Sequence, residues 1–84
     1  MKVFTVELLS PERVLYHGPA TMVIAPGAEG EVGILPHHMP LLVKLKEGAI
    51  KILVNQEPEI EFQISSGYLE IVNDVCSIIV VNTI

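Results

Sequence analysis

Turn-forming residues punctuate this chain every 6 to 12 residues, and no segment between them carries helical periodicity. Ser10-Pro11-Glu12, His17-Gly18-Pro19, the run from Pro26 to Gly33, Gly48, Asn55 to Pro58, Ser66-Gly67 and Asn73-Asp74 leave only short apolar stretches between them. Those stretches are dense in Val and Ile, whose branched Cβ suits a pleated strand. The pattern predicts an all-β chain, a β-sandwich or closed barrel, forming one domain over residues 1–84.

Side-chain alternation assigns faces to most of these strands. Phe4, Val6 and Leu8 point one way, and Val3, Thr5, Glu7 and Leu9 the other. Val14-Leu15-Tyr16 reads as a short strand broken at His17-Gly18-Pro19, followed by a strand from Thr21 to Ala25. Leu41, Val43 and Leu45 share one face, Leu42, Lys44 and Lys46 the other, and Gly48 ends that strand. Ile50, Ile52 and Val54 lead to a hairpin turn at Asn55-Gln56-Glu57-Pro58. Ile60, Phe62 and Ile64 against Glu59, Glu61 and Gln63 predicts a dry face, with Phe62 a core candidate, and a wet acidic one. Val75 to Val81 is apolar on both faces, which predicts a central or covered strand.

Residues 26–48 are organised differently. Gly27, Gly30 and Gly33 recur every third residue, then Pro36 and Pro40 bracket His37, His38 and Met39. Glycine reaches positive φ without a Cβ clash and proline fixes φ, so the stretch reads as a shaped loop. It carries Glu29 and Glu31 on its exposed arc, has a candidate strand over Glu31 to Ile34, and runs into an apolar strand, a surface built to dock.

Composition narrows the functional classes. A chain of 84 residues has a thin stability margin, and its 50% apolar content is high for a lone globule, which points to apolar surface that meets a partner. A net charge of −5 argues against nucleic acid, whose binding needs clustered Lys and Arg. Cys76 is alone among apolar neighbours, so a buried inert thiol and a reducing compartment are expected. No apolar run is long enough to span a bilayer, and the opening MKVFTVELLS is too short and alternating for a signal peptide.

Catalytic signatures are missing. The glycine repeat lacks the Lys-Ser/Thr end and following helix of a phosphate-binding loop. His37 and His38 are adjacent, so on extended backbone they face opposite ways; with His17 and Glu31 they have no metal-ligand spacing. A small metal-dependent barrel enzyme using His37, His38 and Glu31, and a nucleotide-sensing regulator, are the competing classes. From the residues alone, a non-catalytic protein-binding β domain without metal, nucleotide or cofactor fits better.

The stretch GAEGEVGILPHHMPLL, with VELLSPERVLYHGPATMVIAPG before it and LKEGAIKI, SSGYLEI and VVNTI after it in order, resembles the N-terminal β-sandwich of the epsilon subunit of F-type ATP synthase. The resemblance covers essentially the whole chain. It implies a flattened sandwich of about ten short strands at the foot of the central stalk. It also implies partners: the gamma subunit on one side and the c-ring on another, at the cytoplasmic face of a bacterial membrane. The subunit itself would be non-catalytic and would couple proton flow to ATP synthesis. By that resemblance Glu29, Gly30, Glu31 and Gly33 face the c-ring, and Ser10, His38, Pro40, Leu41, Leu42 and Val43 face gamma. His38 matches a family histidine, whereas His37 falls where many members have glycine. Many members continue into an α-helical hairpin that inhibits ATP hydrolysis or binds ATP; a natural end at Ile84 would imply that neither function is carried here.

Overall fold

A computed structural model describes residues 2–55 and 60–81. These residues form nine strands: β1 (Phe4–Leu9), β2 (Val14–Ala20), β3 (Met22–Gly27), β4 (Gly30–Ile34), β5 (Leu41–Leu45), β6 (Gly48–Leu53), β7 (Ile60–Ile64), β8 (Gly67–Val72) and β9 (Val75–Val80). They make one sheet in the order β2-β1-β9-β8-β5-β3-β6-β7, with β4 beside β3. All neighbours are antiparallel except β1 and β9, which run parallel.

The sheet folds over on itself where β5 meets β3. There the strands share a single register pair, Gly27 with Leu45. Two backbone bonds flank it: Ala28 N–H to the Lys44 carbonyl at 2.8 Å, and Lys46 N–H to the Pro26 carbonyl at 2.9 Å. On the same edge, Met22 to Ile24 pair with β6. Pro26 therefore sits where β3 changes partner, a position at which a missing N–H breaks no ladder. The result is a flattened all-β sandwich measuring 32 × 24 × 20 Å.

The core lies between the two layers. Phe4, Val6 and Leu8 of β1, Leu69 and Ile71 of β8, and Cys76, Ile78 and Val80 of β9 face Val23, Ala25, Ile34, Ile50, Ile52 and Ile64. Among the described residues no polar or charged side chain is buried. Stability therefore rests on apolar burial and backbone ladders, with no internal polar network. No helix of the described residues is long and apolar enough to cross a membrane.

Four local expectations are revised. His17-Gly18-Pro19 does not break β2, which pairs with β1 through Ala20. Thr5 donates its N–H to the Asp74 carbonyl at 2.9 Å, away from β2, so its partner Pro19 occupies a position whose missing N–H faces the open edge. The candidate strand at Glu31 to Ile34 is present, but strand pairing reaches further into the glycine loop than expected: Gly27 and Gly30 pair across a two-residue turn of Ala28 and Glu29, and Gly33 pairs with Ile24. Gly48 opens β6 rather than closing β5. The dry face of β7 is graded, with Ile64 buried, Phe62 half-buried and Ile60 37% exposed. Of the expected turn at 55–58, residues 56–58 lie outside the described residues, as does Glu59.

Candidate functional site

The glycine-rich hairpin is held rigidly from behind. Its tip is tied to β5 by the two backbone bonds at Ala28 and Lys46. A Cβ on Gly27 would overlap the Gly30 carbonyl oxygen, so the pair closes the hairpin only without side chains. Gly30 itself has a φ of 136°, a conformation that L side chains rarely adopt. Glu29 in the turn and Glu31 on β4 are both exposed. Because Pro26 directs its carbonyl to Lys46, its register partner Glu31 turns its own N–H and C=O away from β3. By the same alternation Gly33 does so too, so β4 offers an open backbone edge behind an acidic tip.

An open cleft of about 350 Å³ separates this hairpin from β5. Glu29, Gly30 and Glu31 line one wall, and Leu42, Val43 and Lys44 the other. Residues from both expected contact sets thus meet in one depression. Among the described residues neither glutamate lies within 4 Å of a cation.

The second surface is the outer face of β1, β9, β8 and β5. The registers stack its side chains in rows: Leu9, Ile79, Tyr68 and Lys44; then Glu7, Ser77, Glu70 and Leu42; then Thr5, Val75 and Val72. Ile79 and Tyr68 are each 53% exposed and Leu42 is 68% exposed. β9 is central in hydrogen bonding, as its composition predicts, yet no strand of the described chain covers its outer face. Two mainly apolar rows therefore flank a row that holds two glutamates and ends in Leu42, a mixed pattern suited to a partner rather than to water.

The expected gamma-facing residues fall on this framework unevenly. Ser10 follows Leu9 at one end of the face, where its N–H and hydroxyl both donate to the Arg13 carbonyl. Leu42 ends the middle row of the face on β5, and exposed Pro40 precedes it on the same alternation. Leu41 and Val43 point inward and pack on the core. His38 lies in the β4–β5 connection, its Nδ1 2.7 Å from the Met39 carbonyl. Tyr68, Glu70 and Ile79 were not singled out from the sequence, although the two-sided apolarity of the last strand was the signal for Ile79.

His17 lies on β2, apart from His37 and His38, which share the β4–β5 connection. His17 on β2 stands 3.8 Å from Glu7, His37 stands 3.1 Å from Asp74, and Glu31 is on the hairpin. Among the described residues no three His, Cys, Asp or Glu side chains converge as metal donors. Cys76 is fully buried, and desolvation pushes its thiol from 9.0 up to about 12, so it stays protonated and unreactive.

Residues 3–84 match the family described as the delta/epsilon chain β-sandwich domain of ATP synthase. The chain is 43% identical over 79 residues to the ATP synthase epsilon chain of Brevibacillus brevis, covering 94% of this chain and 60% of that one. It is 36% identical over 77 residues to the epsilon chain of Nitrosomonas eutropha, covering 92% of this chain and 55% of that one. It thus spans little more than half the length of these relatives. A chain of the Euglena gracilis mitochondrial ATP synthase (OSCP/F1/c-ring) superimposes with a TM-score of 0.90 at 19% identity, over 98% of this chain and 52% of that one. One from the Tetrahymena thermophila central stalk and c-ring gives 0.78 at 21% identity, over 95% and 64%. These two likenesses concern the fold.

Proposed function

The chain belongs to the ATP synthase delta/epsilon β-sandwich family, and from that premise we propose that it is a non-catalytic rotor element. It docks the gamma subunit to the c-ring, so that proton flow turns both together and drives ATP synthesis at distant catalytic sites. It works at the cytoplasmic face of a bacterial membrane, held there through the complex.

One observation supports this reading above the others: the molecule has two dissimilar exposed surfaces beside β5. The first is the rigid hairpin tip with Glu29 and Glu31, whose carboxylates can accept charge-assisted hydrogen bonds from the polar loops of a c-ring. The second is the outer sheet face with Leu42, Tyr68 and Ile79, which suits the larger and greasier contact to gamma. An interface of standard size buries about 800 Å² per partner, and two such contacts fit a chain whose total accessible surface is 5107 Å².

Reconstitution with gamma and the c-ring tests the reading. Adding the chain should raise the ATP made per unit of ion gradient, and the chain should co-purify with gamma. A chain that neither binds gamma nor changes that ratio refutes the reading.

A further inference from the structure

We propose that Asp74 is a positioning residue, holding the β4–β5 connection in the shape that presents His38 and Pro40 to the partner subunit; this rests on the gamma-docking reading above. Its carboxylate grips one residue twice. Oδ1 accepts the His37 backbone N–H at 2.6 Å, and Oδ2 lies 3.1 Å from His37 Nδ1, which donates in the tautomer protonated there. The two residues are 37 apart in sequence.

The anchor beneath this grip is firm. The Asp74 carbonyl accepts the Thr5 N–H at 2.9 Å, which ties the β8–β9 turn to β1. The connection above it has little else to hold it. Leu35 is 53% and Met39 78% exposed, and Pro40 is exposed as well. His37, His38, Pro40, Asn73 and Asp74 together line a shallow depression of about 280 Å³.

Backbone geometry places Asp74 where glycine would be the more relaxed turn residue. Asn73 and Asp74 have φ of 50° and 61°, the two left-handed positions of a tight hairpin turn. Asn-Gly is the favoured pair there, because glycine occupies the second position without strain. Aspartate is the poorer turn residue, and it makes two contacts that glycine lacks. His37 is the matching case, at φ 65° directly after Pro36, where glycine or asparagine is the relaxed choice.

Asp74→Gly separates the two roles, since it keeps the turn and removes the grip. Three quantities are read on the whole chain: melting temperature, exchange of the His37 amide by NMR, and affinity for the gamma subunit. The expected result is an unchanged or higher melting temperature, His37 exchange faster by about tenfold, and gamma affinity lower by about three- to tenfold. Asp74→Asn keeps an acceptor and tolerates the turn, so it should restore most of the affinity. Unchanged His37 exchange in Asp74→Gly overturns the grip. Faster exchange with full gamma affinity overturns the positioning role alone. No complex with the unsubstituted chain overturns the docking reading itself.

Discussion

The backbone of Gly67 lies directly against the carbonyl oxygen of Ile79, so close that a Cβ at Gly67 would overlap it. Val80 Cα stands 3.1 Å from the same point. Gly67 pairs with Val80 on one side and with Leu45 on the other, where the sheet begins to fold over. Gly67→Ala should therefore destabilise the domain by about 2–4 kcal/mol, because backbone rather than a side chain must move. Gly33→Ala meets only the flexible end of Met22, at 3.3 Å, and should cost no more than about 1 kcal/mol. Urea denaturation of the two variants checks the contrast.

Phe62 behaves as a rim residue, not as the core ring its alternation suggests. It is half-buried and packs on the edge of the core from β7, the last strand of the sheet. Phe62→Ala should cost about 1–2 kcal/mol, below the range for a fully enclosed ring. Leu69 is wholly buried between Val43 and Ile78, so Leu69→Ala should cost about 2–5 kcal/mol. Equal losses for the two in chemical denaturation would contradict the graded burial.

Burial of Cys76 predicts an alkaline instability. The folded thiol, raised to about 12, keeps its proton where the unfolded thiol, at 9.0, loses it. Below pH 9 both states are protonated and Cys76 contributes no pH dependence. Between pH 9 and 12 the unfolded state gains by ionising, so stability falls by about 1.4 kcal/mol per pH unit from this residue. Cys76→Ala should flatten that slope, as read from unfolding free energies at pH 8, 9 and 10. The folded protein should also resist alkylation at pH 8 until denaturant is added.

The two surfaces proposed for docking should be separable by mutation. Glu31→Lys reverses an exposed charge on the hairpin and should change stability by less than about 0.5 kcal/mol. It should weaken coupling to the ring while gamma binding persists. Ile79→Asp sits on the outer sheet face and should lower gamma affinity by about tenfold or more. Binding to isolated gamma, with ATP yield per ion gradient in reconstituted enzyme, distinguishes the two. A fully coupled Glu31→Lys enzyme, or undiminished gamma binding by Ile79→Asp, would refute the corresponding assignment.

Much of the architecture was legible in the chain because strand alternation is local. Each side chain points opposite its neighbour, so Phe4, Val6 and Leu8, or Ile50 and Ile52, declare a buried face without reference to any partner strand. The tight turn within residues 26–48 was legible for a related reason, since glycine and proline restrict their own backbone. Misreadings arose where pairing overrides local signals. Gly18-Pro19 looks like a break until β1 is known to leave that proline on an open edge. Phe62 looks like core until β7 is known to be the last strand.

Local chemistry along the chain was enough to specify an all-strand domain, most of its inward-facing residues and its acidic, glycine-braced tip. The folded arrangement settled which strands became neighbours. It set the fold line at Gly27 and Leu45, brought Glu31 and Lys44 to one cleft, and left the outer side of β9 uncovered by any strand of the described residues. It also joined His37 to Asp74. The physical reason is range: a side chain's direction follows from its own backbone, whereas a pairing across dozens of residues is chosen by whichever closure buries the whole apolar set at once.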